Sequence, residues 1–165
     1  MPSLPSFGPP RVLHNPRADE GRAYGPSERA IVSRAGFAEA MAEIGAWPGY
    51  APTPLRSLKG LAAAARVDRL WYKDESSRFD LGSFKALGGA YAVLRLLARE
   101  VAAQAPGLLV SALDLVVGRY GKITRAVTVA TATDGNHGRS VAWGAQVFGC
   151  RCVVYVPKAC SAGRR

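Results

Sequence analysis

Metal and thiol chemistry have little to work with in this chain, which holds three cysteines, two histidines and two methionines among 165 residues. Cys150, Cys152 and Cys160 crowd near the C-terminal end in an odd number, without the spacing of a zinc site or a disulfide framework. Cys150 and Cys152 are expected on one face of a strand, and no neighbouring His or Cys pair completes a ligand set, so no metal is expected. Core thiols in a reducing cytoplasm are the expectation. Acidic residues are also scarce: 12 Asp and Glu stand against 22 Lys and Arg, a formal net charge of +10. That balance favours phosphate-bearing or carboxylate-bearing partners. The bases are spread singly apart from the terminal "GRR", and no RNP, zinc-finger or aromatic-interleaved basic motif accompanies them, so a solvated basic surface is expected rather than a nucleic-acid interface. Long apolar runs are missing too; none approaches a membrane span. "MPSLPSFGPP" lacks both the charged start and the apolar stretch of a secretory signal.

What is present is the composition of a folded domain, with 48% hydrophobic and 21% charged residues. Residues 1 to about 26 are rich in Pro, Gly and Arg and read as a loosely ordered surface arm; residues 27–165 then form the folded part. Ser27 is placed to cap a helix running to about Ile44, with Ile31, Ala35, Ala38 and Met41 at helical spacing. Pro48, Pro52 and Pro54 in "WPGYAPTPL" force extended backbone. "RSLKGLAAAARV" predicts a short helix and "RLWYKDE" a strand with Leu70 and Tyr72 on one face. Ser83 should cap a helix reaching about Val101, its stripe being Phe84, Leu87, Tyr91, Leu94 and Ala98. A helix is expected between Gly107 and Gly118. "AVTVATA" then reads as a buried strand, "DGNHG" as a turn, "RSVAWGAQVFG" as a helix and "RCVVYVP" as a second apolar strand. Strands alternating with helices predict an α/β chain with a parallel, right-handed wound sheet, and the order reads as the first part of a βαβ series whose remainder is absent.

In such a sheet ligands bind beyond the carboxyl ends of the strands, where helix N-termini offer unpaired N–H groups. Two segments qualify: "SSRFDLGSFK", which follows "LWYKDE", and "TDGNHG", which follows "VTVA". Lys85 stands in a first helical turn, where the positive end of the helix dipole favours the neutral, nucleophilic amine that Schiff-base chemistry needs. Gly88 and Gly89, three and four positions on, would leave space beside that amine. Taken by itself the segment favours an ordinary surface lysine, with glycines serving close helix packing. In the second turn Asn136 offers an amide N–H to an anionic oxygen, while Gly135 and Gly138 let backbone approach a flat ligand. A tight strand-to-helix turn capped by Asp134 is the alternative there. His137 suits a helix terminus as well as a catalyst, and His14 has no local partner.

Taken together, "GSFKALGGA" and "ATDGNHGRSVAWGA", preceded by "YAPTPL" and followed by "VVYVPK", resemble the tryptophan synthase β-like, fold-type II family of pyridoxal-phosphate enzymes. Within it the resemblance is to the diaminopropionate ammonia-lyase family. It runs from about Pro48 to the end of the chain. The resemblance implies that Lys85 bonds covalently to pyridoxal 5'-phosphate and that Asn136 hydrogen-bonds the cofactor's phenolic oxygen. Ser83 and Phe84 complete the lysine motif, and Gly135 and His137 belong to the cofactor-binding turn. Relatives that dehydrate serine or threonine usually carry Ser or a small residue where this chain has Asp134, so that carboxylate points to the ammonia-lyase branch and is placed to act as a base. The implied reaction is an α,β-elimination of 2,3-diaminopropionate to pyruvate and ammonia, on a small amino-acid substrate, in a cytoplasmic enzyme whose full-length relatives are commonly homodimers. The family's glycine-rich loop for the cofactor phosphate is not found in this sequence; "GKIT" at 121–124 lacks the upstream glycine of a P-loop. The expectation is therefore the N-terminal portion of a catalytic domain, with activity impaired by truncation. A threonine/serine dehydratase-like lyase and a non-catalytic fragment that binds a partner remain the alternatives.

Overall fold

The computed structural model describes residues 13–161. By its internal contacts the chain divides into residues 1–34 and residues 35–165. In the first unit, helix α1 (Pro26–Ile31) starts one residue earlier than Ser27 would set it. Gly25 is the N-cap, and the Glu28 carboxylate reaches back to its N–H at 2.8 Å, one half of a capping box. The single helix expected to Ile44 is instead two, because Val32 turns extended at φ −131° and ends α1. The second helix, α2, spans Arg34–Gly45. Neither buries a residue, and Ile31 and Met41 of the expected stripe are exposed. Residues 1–12 of the expected arm lie outside the described residues.

The second unit continues with β1 (Leu55–Ser57), α3 (Lys59–Ala65) and β2 (Trp71–Lys73). The strand expected in "RLWYKDE" does form, but it pairs antiparallel with β1, Arg56 facing Tyr72, instead of joining a parallel sheet. The three prolines fix the extended approach, and Asp74 N–H donates to the Pro54 carbonyl at 2.9 Å to extend the pairing. A 3-10 turn at Arg78–Asp80 leads into α4 (Lys85–Gln104). Phe84 is its N-cap and Ser83 lies one position outside, yet the Ser83 hydroxyl still accepts from the Lys85 N–H at 3.2 Å. Short helices α5 (Ala112–Val116) and α6 (Gly121–Thr124) precede β3 (Thr128–Ala132), α7 (Asn136–Phe148) and β4 (Arg151–Tyr155). Strands β3 and β4 pair in parallel, Val129 against Cys152 and Thr131 against Val154. The expected βαβ unit is therefore present.

Of the expected stripe on α4, Leu94 is buried, Leu87, Tyr91 and Ala98 are half-buried, and Phe84 is exposed. Ala86, Ala90, Val93, Leu97 and Val101 face inward while Phe84 is 61% exposed, because α7 packs along the side that carries the small residues. A Cβ on Gly144 would meet the Ala90 Cα at 2.7 Å, and one on Gly89 would meet the Ser140 hydroxyl at 2.3 Å. Glycine at these two places lets the helix backbones approach closely. Around the contact, Leu97 and Val101 of α4, Phe148 of α7, Val129 of β3 and Trp47 form one core, each large side chain contributing about 2 kcal/mol.

Candidate functional site

The contacts at the start of α4 and of α7 show that the two helices run in the same direction. Ser140 lies against Lys85 and Gly89, and Gly144 lies against Ala90 and Val93. Both N-termini therefore open at one end, the end at which the carboxyl terminus of β3 delivers the chain into α7. The direct link is a hydrogen bond, with the Ser140 hydroxyl donating to the Lys85 carbonyl at 2.5 Å. Asn136 lies one turn earlier on the same face of α7 as Ser140. Lys85 and Asn136 are thus brought to the same mouth.

Each expected residue has a definite place there. Lys85 is exposed in the first turn of α4, and among the described residues nothing bonds its amine. Ser83 is buried and Phe84 exposed. Asp134 and Asn136 are exposed at the strand-to-helix turn, and the Asp134 carbonyl accepts a weak bond from the Cys160 thiol at 3.8 Å. Asp134 is not the cap of α7, since Gly135 holds that position. The first-turn donors go instead to Thr133, whose hydroxyl accepts from the Gly135 N–H at 3.2 Å and from the Gly138 N–H at 3.4 Å. The expected turn at "DGNHG" is therefore helical from Asn136 onward. His137 is exposed, and no described contact joins it to Lys85. A Cβ on Gly88 or Gly135 would meet no atom within 4 Å, so no packing against the protein requires glycine at either place. Among the described residues no group of His, Cys, Asp and Glu could hold a metal ion.

Sequence reading missed the polar cluster behind the lysine loop. Arg78 is 5% exposed. Its Nε and Nη2 donate to the two oxygens of Glu75 at 2.8 and 3.1 Å, its Nη1 to the Ala51 carbonyl at 2.7 Å, and its Nη2 also to the Thr53 hydroxyl at 3.2 Å. The Thr53 hydroxyl donates in turn to Glu75. The Arg78 guanidinium, aided by Thr53, holds the Glu75 carboxyl below the usual carboxylate range against the opposing cost of burial. The available signal was "KDESSRF" itself, with Glu and Arg three apart; Thr53 is too distant in sequence for local patterning to find. Thr133 and Ser140 were legible only as members of a turn and a helix.

Two helix N-termini open at one end beside a parallel strand pair, with a lysine in one and an amide in the other, an arrangement typical of α/β ligand sites. Residues 46–165 match the family described as pyridoxal-phosphate dependent enzyme, and the chain belongs to that family. It is 46% identical over 110 residues to the diaminopropionate ammonia-lyase of Escherichia coli strain K12, covering 67% of this chain and 26% of that enzyme. The crystal structure of the Escherichia coli diaminopropionate ammonia lyase with an aminoacrylate-PLP azomethine reaction intermediate aligns with a TM-score of 0.62 at 38% identity, over 79% of this chain and 30% of that one. The same lyase in complex with D-serine aligns with a TM-score of 0.62 at 39% identity, over 78% of this chain and 32% of that one. The chain spans 26% of the length of the curated relative. Its fold is that of the fold-type II group, whose cofactor is pyridoxal phosphate.

The residues present fit the aldehyde and ring end of that cofactor. Lys85 supplies an exposed amine, and the open positions beside Gly88 and Gly135 leave room for a planar ring. Asn136 supplies a donor at the neighbouring helix terminus.

Proposed function

We propose that this chain carries the lysine and ring-oxygen part of a pyridoxal 5'-phosphate-dependent ammonia-lyase acting on 2,3-diaminopropionate. The observation that supports it is the Ser140 to Lys85 bond, which fixes the two motif-bearing helix termini side by side. The net change is 2,3-diaminopropionate and water to pyruvate and two ammonia molecules. When bound, the cofactor supplies an electron sink for the α-carbon. Lys85 would hold the cofactor through its amine and would also serve as an acceptor for the substrate's α-proton. Asp134 would serve as the acceptor for the opposite stereoisomer. Asn136 would donate its amide to the cofactor's phenolic oxygen, Gly135 would leave room beside its ring, and His137 would belong to the same cofactor-binding turn. Ser83 and Phe84 set the start of α4 and hence the root of Lys85. The three free cysteines support a cytoplasmic setting.

The test is to mix the chain with pyridoxal 5'-phosphate, reduce with borohydride and map the modified lysine. A label concentrated on Lys85 is expected. No stable adduct, or labelling spread over the surface lysines, would overturn a cofactor site in this chain. In the catalytic domain assembled to full length, Asp134→Asn should impair turnover of one stereoisomer of 2,3-diaminopropionate by about a hundredfold more than the other, the scale of general-base catalysis. Equal losses for both would remove Asp134 from its role.

A further inference from the structure

We propose that Arg78 is a positioning residue for Lys85, its buried guanidinium clamping the β2-to-α4 loop onto residues 51–53 so that the amine is presented at one place. The proposal rests on the reading of Lys85 as the amine that holds the cofactor. Three observations carry it. Arg78 joins both sides of the loop, with Glu75 on its own strand exit and Ala51 and Thr53 on the segment leading to β1, and it lies 5.2 Å from the Tyr50 ring centroid. Lys73 pins the same segment by donating to the Thr53 carbonyl at 2.5 Å.

Immediately after the clamp the backbone is left-handed at two successive non-glycine residues, Phe79 at φ 48° and Asp80 at φ 57°. Such residues persist only where their surroundings over-determine them. Arg78 supplies one hold; the Phe79 ring supplies the other, 4.8 Å from Trp143 and 6.0 Å from Trp47 by ring centroids. Five residues beyond Asp80, both backbone polar groups of Lys85 are tied to side chains, its N–H to Ser83 and its carbonyl to Ser140. Arg78 and the reversed turn thus hold one end of the short Leu81–Gly82 link, and Ser83 and Ser140 hold Lys85 at the other. A purely structural filler would not need a buried ion pair, because apolar packing of equal volume is commonly as stable. A fork of fixed directions, however, specifies one loop conformation where apolar contacts would allow several.

The test uses the full chain with Arg78→Met, Thr53→Val and a control, Val101→Ala, which weakens the fully buried far part of α4. After trapping with pyridoxal 5'-phosphate and borohydride, the ratio of label on Lys85 to label on Lys59, Lys122 and Lys158 should fall about tenfold in Arg78→Met and about threefold in Thr53→Val, in line with loss of charged and neutral hydrogen bonds. It should stay within error in Val101→Ala at matched loss of thermal stability. Amide exchange at Lys85 and Ala86 should accelerate in the first two variants and not in the control. If Arg78→Met does not fold, Thr53→Val decides alone, since it retains the ion pair. Equal losses in the control, or exchange at Lys85 unchanged in the clamp variants, overturns the proposal. Absence of a Lys85 preference in the unaltered chain would sink the cofactor reading instead, and the exchange arm would still decide the clamp.

Discussion

Asp80 sits in the left-handed region that glycine adopts at little cost, directly behind Phe79 in the same region. A side chain there costs about 1 kcal/mol in the folded state, partly offset because glycine loosens the unfolded chain. Asp80→Gly should therefore raise stability by about 0.5 kcal/mol, read as a higher urea midpoint with an unchanged slope. Phe79→Gly relieves the same strain but removes the ring held against Trp143, so it should destabilise; a gain there would show that the stacking contributes little. Glu75 gives the pH-dependent counterpart. Its folded carboxyl titrates below its unfolded one because Arg78 favours the charged form, so the stabilisation is complete above the unfolded value near 4.5 and is lost as pH falls through the depressed folded value. Denaturation midpoints measured downward from pH 5 should fall in the unaltered chain, and Glu75→Gln should flatten that part of the curve while lowering stability at neutral pH by about 3 kcal/mol. A parallel decline in the variant would assign the acid sensitivity to other carboxylates. The left-handed turn was not visible in sequence, because a left-handed φ at Phe79 follows from contacts with Tyr50, Trp47 and Trp143 that no local pattern contains.

At the level of elements, the glycine pair in α4 separates into two unrelated demands. Gly89 is the helix-packing glycine: an added Cβ would lie 2.8 Å from the Ser140 Cβ and 3.3 Å from the Val141 nitrogen, contacts that force α4 and α7 apart. Gly88 has open space instead. Gly89→Ala should cost about 2 kcal/mol by overpacking, whereas Gly88→Ala should stabilise α4 by about 1 kcal/mol through helix propensity. Thermal melts of the two variants give the comparison, and a destabilised Gly88→Ala would refute the open-space assignment. The sequence showed where the chemistry-bearing turns lie, since "GSFK" and "DGNHG" follow apolar strand patterns and open amphipathic helices. It found only part of the buried face of α4. Leu94 of the expected stripe is buried, but Phe84 is exposed, and close approach of α7 brings in the smallest side chains, Ala86, Gly89 and Ala90. Helix periodicity reports that a face exists, and the partner decides which one is used. The antiparallel β1 was hidden for a related reason: three residues flanked by prolines carry almost no pattern until β2 is beside them.

On the scale of the whole folded unit, the parallel pair β3–β4 is covered on one side by the described residues. Gly138 of α7 packs against Val154, and Val129 and Cys152 turn toward the core. The opposite face presents Ala130 beside Val153 and Ala132 beside Tyr155, all exposed, with Val153 at 40% and Tyr155 at 65%. Parallel strands ordinarily have both faces covered, and among the described residues β3 and β4 pair only with each other, so each also leaves an edge of unpaired N–H and carbonyl groups. Both features favour self-association. The formal charge of +10 opposes it, but charge repulsion acts over about 10 Å at 0.1 M salt and about 3 Å at 1 M, whereas burial of an apolar face is not screened. The expected behaviour is therefore a chain that sediments near its 17.5 kDa mass in dilute, low-salt solution and grows with both concentration and salt. Val153→Lys combined with Tyr155→Lys places two charges on the bare face without touching α7, and should hold the chain monomeric at high salt. Association that survives in the double variant would locate the contact elsewhere, and a chain of constant mass across the salt series would show that repulsion is not what keeps the bare face apart.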